Sequence, residues 1–204
     1  MSAADPDRPT GPALPAKVVD ALARLARGQR AHRQAVATRH HLTPLQLELL
    51  VTLGQAPPPE PLVGALAREL AVTQPTATDS LRSLEDKGLV TRGPDPTDRR
   101  RTTVALTPAG TAVLDQVATA DRTMLDAVAD LPADRQEAAL GSLLDLIATM
   151  VDAGIVDVAR TCTTCHHHRL DDDGSHRCTL LEVSLAPAEL RVSCPDHRPL
   201  ATPA

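Results

Sequence analysis

Four cysteines and a histidine near the C-terminus have the spacing of a metal site: Cys162-x-x-Cys165, then Cys178, then Cys194-x-x-His197. Two intervening residues let both side chains of one tight turn reach a single tetrahedral ion. Five candidates compete for four places, so two sets stand open. One is the four thiolates of Cys162, Cys165, Cys178 and Cys194, which we favour; the other is Cys162, Cys165, Cys194 and His197. Zinc suits either set. Four thiolates also suit an iron–sulfur cluster, which would make the tail redox-responsive, and free or disulfide-bonded thiols are a third reading. The segment 155–204 holds few large apolar side chains, so burial alone could hardly fold it, and coordination would supply the missing free energy. Leu180, Leu181, Val183, Leu185, Leu190 and Val192 are the candidates for a minimal hairpin core around the metal. His166, His167, His168 and His176 lie near enough in sequence to be outer-shell groups, although a solvated polar run explains them as well.

A second cluster of chemistry lies at Arg99, Arg100 and Arg101, with Arg92 a few residues before. Guanidinium groups bind phosphate, but three in a row are a weak signal alone. Their setting strengthens it. Leu89–Arg92 and Thr102–Leu106 alternate or carry β-branched residues, and GPDPTDRRR between them is rich in turn formers, which predicts a hairpin with a long tip. Just upstream, Leu62, Ala65, Leu66 and Leu70 recur at helical spacing. A second helix starts at Thr73, whose hydroxyl can accept from the next turn's amides, with Pro75 where a missing N–H costs nothing. On it Ala77, Leu81 and Leu84 share one face, and Pro75, Thr78, Asp79 and Arg82 lie on the opposite, polar one. Gly88 is the expected C-terminal stop. Two short helices, a tight turn and an arginine-tipped hairpin read as a helix-turn-helix with a wing, suited to duplex DNA.

At Gln74–Thr78 (QPTAT), Leu84–Val90 (LEDKGLV) and Asp98–Gly110 (DRRRTTVALTPAG) the chain resembles the MarR family of winged-helix transcriptional regulators, over roughly residues 15–153. The resemblance implies a homodimer whose second motif helix reads a major groove while a wing arginine enters the minor groove. Carried over residue by residue, Gln74, Thr76, Thr78, Asp79 and Arg82 would face bases or phosphates. Asp98 would brace the wing, Arg100 would insert, and Arg99 and Arg101 would meet the flanking phosphates. Asp79 departs from the many relatives that have a basic or neutral residue there. It either accepts from cytosine N4 or pairs with Arg82 one turn on. Many MarR-like proteins release DNA when a small molecule enters the cleft between dimerisation and DNA-binding parts, which makes such an effector an expectation here, of unknown identity. The family's peroxide sensors use a cysteine in the N-terminal helix, and this chain has none outside the tail.

Composition narrows the classes. The 204 residues include no Phe, Trp or Tyr, so the core must be Leu, Val and Ala with a few Ile and Met. Stacking modes of single-strand or RNA recognition are correspondingly disfavoured. The net charge of −5 confines any DNA affinity to a local basic patch, which makes it salt-dependent. No run of about 18 apolar residues exists to cross a membrane, and the polar, proline-rich start lacks the apolar core of a secretory signal. The expected location is the cytoplasm. No Ser-His-Asp grouping, phosphate-cradling glycine loop or helical His-Glu-x-x-His appears, and a thiolate-rich metal set is a closed one, so the chain is not expected to be an enzyme.

The remaining elements position these two clusters. Residues 1–14 read as a disordered arm. A long helix runs from Pro15 to about His41, with Leu14, Val18, Leu22 and Leu25 on one stripe and His40 and His41 complementing the dipole at its end. A helix follows from a capping box at Thr43 and Gln46, its core made of Leu45, Leu47, Leu49, Leu50 and Leu53. The stretch QAPPPEP is a stiff connector. Beyond the wing one helix is expected from Thr107 to about Ala129 and another from Ala133 to Ala153, stopped by Gly154. Their apolar stripes, with that of the first helix, call for a homodimer. The expected fold is mainly α: a winged helix-turn-helix with long dimerisation helices over 15–154 and a small β-containing metal-binding tail over 155–204.

Overall fold

The computed structural model describes residues 13–55, 61–95, 98–157 and 159–200. Most of the expected N-terminal arm, the centre of the proline-rich connector and two residues of the wing tip lie outside them. The chain forms two compact units, Met1–Pro44 and Leu45–Ala204.

The described part of the first unit is essentially one helix, α1 (Leu14–Arg39), with Pro15 in its first turn. It stops where His41 takes a positive φ of 56° and the Leu42 amide folds back to the Ala37 carbonyl at 2.9 Å. Leu14, Val18, Val19 and Leu25 on α1 stay exposed.

The second unit begins with α2 (Pro44–Gln55), α3 (Val63–Glu69) and α4 (Gln74–Asp86). Thr73 caps α4 by accepting from the Thr76 amide, and Gly88, at φ 69°, closes it while the Leu89 amide returns to the Leu84 carbonyl at 3.0 Å. That αL turn is what a residue without Cβ makes cheap. The wing is an antiparallel pair, β1 (Val90–Pro94) and β2 (Thr102–Leu106), with Val90 opposite Leu106 and Pro94 opposite Thr102. Its outer edge is partly covered, because Val104 donates to the Pro61 carbonyl at 2.9 Å and Leu62 bridges Thr103. Leu47, Leu49, Leu50, Leu66, Leu81, Leu84, Val90 and Val104 are fully buried. Each such side chain contributes about 1.5–3 kcal/mol relative to exposure, so this aliphatic set replaces an aromatic core. Gln46 is buried as well: its amide donates to Ser83 Oγ at 2.9 Å and accepts from Lys87 Nζ at 2.8 Å, tying α2 to α4.

After the wing the single helix expected over 107–129 is two, α5 (Pro108–Ala120) and α6 (Arg122–Ala129). The interruption is slight. Asp121 keeps helical dihedrals, and it caps α5 through its amide while its carbonyl starts α6 by accepting from Met124. The last long helix, α7 (Ala133–Asp152), ends on Gly154 at φ 68°.

The tail opens with a 3-10 turn at Cys162–Thr164, followed by β3 (His168–Leu170), β4 (His176–Cys178) and β5 (Val183–Leu185) in antiparallel order β3-β4-β5. Thr163 Oγ1 donates to the Leu144 carbonyl of α7 at 3.2 Å, anchoring the turn. The expected hairpin core does not form. Of its six apolar candidates Leu190 is buried, Leu185 is half-buried and the others are exposed, since strands of three residues present too little surface to enclose one.

Candidate functional site

Two sites emerge, both in the second unit. The first lies between the helix-turn-helix and the wing, in a cleft of about 580 Å³ lined by Arg68, Gln74, Thr78, Arg92, Arg100 and Arg101, with Val63 and neighbours as its floor. The fold thus brings Gln74 and Thr78 of α4 together with two wing arginines from across the hairpin. Thr78 is half-buried, its hydroxyl donating to the Gln74 carbonyl at 2.8 Å. Thr76 serves the cap, its Oγ1 lying 2.7 Å from Thr73 Oγ1. Asp79 and Arg82 project from α4, with side chains 74% and 61% exposed, and pair with each other at 3.3 Å. Of the two roles open to Asp79, this geometry displays the intrahelical one.

Asp98 shapes the wing tip. Its Oδ1 accepts from the Arg100 amide at 3.0 Å, its carbonyl accepts from the Arg101 amide at 2.9 Å, and its carboxylate stands 3.6 Å from Arg101 Nε. The Asp95 carboxylate accepts in turn from the Asp98 amide. Arg99 and Arg100 are exposed, and among the described residues no carboxylate pairs with either. Arg92, counted in the wing's basic patch, lines the cleft and also donates to Glu85 at 2.7 Å, which locks the wing to α4. Arg68 was not legible as a site residue, because on α3 it reads as an ordinary solvated charge. Only the turn of α3 against the wing places it in the cleft.

The second site is the thiol cluster. Cys162, Cys165, Cys178 and Cys194 all line one cavity of about 260 Å³, together with His167 and the aliphatic Leu180, Leu181, Val183 and Leu185. Both knuckles are tight turns: the Cys165 amide donates to the Cys162 carbonyl at 3.0 Å and the His197 amide to the Cys194 carbonyl at 3.3 Å. Cys162 Sγ accepts from the Arg191 amide at 3.2 Å. Burial pushes the Cys162 thiol up, opposed by that amide and reinforced by the neighbouring Cys194, Cys165 and Cys178. Among the described residues no three His, Cys, Asp or Glu side chains already form a ligand cage. His197 lies apart from the cavity lining, its Nε2 being 3.1 Å from both Thr164 Oγ1 and the Thr164 carbonyl. His168 and His176 face each other at 3.0 Å. His167 lines the cavity, and its buried Nε2 has no hydrogen-bond partner among the described residues.

The fold and the cleft together define a winged helix-turn-helix protein. Residues 40–101 match the model of the MarR family. Solved structures agree. The transcriptional regulator BldR from Sulfolobus solfataricus is 25% identical with a TM-score of 0.53, over 65% of this chain and 94% of that one. A MarR-family transcriptional regulator from Silicibacter pomeroyi is 26% identical with a TM-score of 0.55, over 63% of this chain and 86% of its own. The S. aureus MepR–DNA complex, 23% identical with a TM-score of 0.51 over 62% of this chain and 96% of that one, shares the fold. No helix among the described residues is long and apolar enough to cross a membrane.

Proposed function

We propose that this protein is a sequence-specific transcriptional regulator, a homodimeric repressor that binds a duplex operator, and not an enzyme. The observation that carries this is the shared cleft: Gln74 and Thr78 on α4, and Arg100 and Arg101 on the wing, open to one side with polar and cationic groups. A helix with such a face fits a major groove, and the adjacent exposed Arg100 guanidinium fits the phosphates or the narrower groove beside it. The related proteins of this fold are transcriptional regulators, and MepR has been seen with DNA. Met124, Leu125 and Val128 on α6, Leu143, Leu146 and Met150 on α7, and Leu14, Val18, Val19 and Leu25 on α1 are exposed in the single chain, as expected of surfaces that a second copy covers. An effector of small-molecule size belongs to the same reading, as does a cytoplasmic location.

For the tail we infer a zinc ion held by Cys162, Cys165, Cys178 and Cys194. The convergence of all four on one cavity, with His197 engaged elsewhere, supports this set over the one that uses the histidine. Zinc would bind the cysteines as thiolates, and the Arg191 amide is placed to stabilise that of Cys162. A [2Fe–2S] cluster is the second reading, since four thiolates suit it as well.

Gel-shift titration with labelled duplex from upstream of the chain's own gene tests the DNA reading, with Arg100→Ala beside wild type at several salt concentrations. Wild type should bind with an affinity that falls as salt rises, and Arg100→Ala should bind more weakly with a salt slope shallower by about one. Equal shifts for the two proteins would remove the wing from the interface. Colourless protein releasing zinc on denaturation supports the first tail reading; visible absorbance replaces it with the second.

A further inference from the structure

A continuous chain of bonds joins the thiol cluster to the helix that precedes the reading helix. Arg160 is buried just before the first knuckle, with a side chain 5% exposed, and its Nε and Nη2 donate to Glu69 Oε1 at 3.1 and 2.7 Å. Glu69 is the last residue of α3. Two residues on, Ala71 adopts a left-handed φ of 51°, and Thr73 then caps α4. On its other side Arg160 is clamped to the second knuckle: the Cys194 amide donates to the Arg160 carbonyl at 2.8 Å, and Arg160 Nη1 donates to the Cys194 carbonyl at 3.4 Å. The clamp continues into the cluster, because Cys162 donates from its amide to the Arg191 carbonyl at 3.0 Å and accepts at Sγ from the Arg191 amide.

We propose that zinc in the thiol cluster regulates DNA binding through the Arg160–Glu69 ion pair: the loaded knuckles fix Arg160, and Arg160 holds the α3 end and the turn that aims α4. The proposal rests on the DNA-binding and zinc readings above. Its physical basis is the cost of leaving a buried charge without its partner, which makes the position of Glu69 follow that of Arg160. Without the ion, four thiols no longer bind Cys162 and Cys194 to each other, the backbone of Arg160 loses its rigid support, and the α3–α4 turn relaxes. Zinc then acts on affinity from outside the DNA contact surface, and the coupling is reciprocal: operator DNA raises zinc affinity by the same factor.

The experiment compares operator affinity of the full-length chain, zinc-loaded and after chelation with subsequent dialysis, in wild type, Glu69→Gln and Arg160→Lys. Far-ultraviolet circular dichroism and a thermal melt accompany each, so that misfolding is seen. Zinc itself is the probe, and the duplex is that used above. Wild type should bind about tenfold more tightly when loaded, within the range typical of allosteric coupling. In folded Glu69→Gln the ratio of loaded to stripped affinity should fall close to one while zinc content stays unchanged. Arg160→Lys keeps the charge, loses the forked geometry and should show an intermediate ratio. A wild-type ratio of one, or a Glu69→Gln ratio equal to that of wild type, overturns the proposal while leaving DNA binding intact. A chain that binds the duplex but takes up no zinc overturns the tail reading and the proposal together. Failure of loaded wild type to bind any duplex overturns the DNA reading itself.

Discussion

The start of α5 offers a measurement in which one chemical change has opposite signs at two sites. Gly110 lies in the first turn of α5, where a Cβ would stand 2.1 Å from the Leu89 carbonyl oxygen and 3.1 Å from its carbon. Backbone and not a pliable side chain is in the way, and that carbonyl also accepts from the Thr107 amide at 3.1 Å. A carbon and an oxygen not bonded to each other need about 3.2 Å, so helix or strand must move by roughly 1 Å in a close-packed region. Such overpacking costs about 1–3 kcal/mol. The helix propensity gained on Gly→Ala offsets at most about 1 kcal/mol. With the full offset Gly110→Ala should still destabilise, by up to about 2 kcal/mol net, and push aside Leu89, where the wing begins. In the interior of α7, Gly141 has no atom within 4 Å of an added Cβ, so Gly141→Ala keeps only the propensity gain and should stabilise by up to about 1 kcal/mol. Urea denaturation followed by circular dichroism reads both, the midpoints moving in opposite directions at an unchanged slope. If both variants gain stability, the close approach of α5 to the wing is refuted.

Thr73→Ala should cost about 0.5–2 kcal/mol, measured as a lower denaturation midpoint, because the Thr76 amide loses its cap acceptor. Replacing Leu81 with Ala in the fully buried face of α4 should cost about 2–5 kcal/mol by the same measurement. Leu146→Glu on α7 places a carboxylate on a surface assigned to the homodimer, and sedimentation velocity should show a shift towards monomer. Burial pushes the His168 imidazole below its ordinary value, and the adjacent His176 and Arg169 push the same way. The unfolded state therefore binds more protons in mild acid, so this contribution is complete above about pH 6.5 and is lost as pH falls through the folded value. Thermal melts from pH 7.5 to 5 should show a loss of stability that His168→Gln reduces; an unchanged pH profile in that variant would refute the assignment.

Much of the winged helix-turn-helix was legible in the chain because its determinants are local. The hydroxyl of Thr73 reaches the Thr76 amide three residues on, Gly88 supplies a positive φ where α4 stops, and Asp98 accepts from the Arg100 amide two residues away. Spacing in sequence fixes such contacts, so QPTAT, the glycine and the arginine-tipped hairpin could be placed before any fold was known. Each cysteine knuckle is likewise a turn closed over three residues.

What spacing could not decide was which distant groups would meet. Arg92 read as one more cation of the wing's basic patch, and only the fold pairs it with Glu85, while Arg68 entered the cleft only when α3 was laid beside the strands. The Thr107-Pro108-Ala109-Gly110 run could be read as a helix start, but its need for glycine comes from the Leu89 carbonyl across the wing. The expected leucine core of the tail gave way to an open cavity, because three-residue strands cannot enclose side chains placed by sequence pattern alone. Arg160 and Glu69 are 91 residues apart, and nothing in either neighbourhood announces the other. Local hydrogen bonds and dihedral preferences determine where each element begins and ends; long-range charge pairing and steric exclusion exist only once those elements are packed.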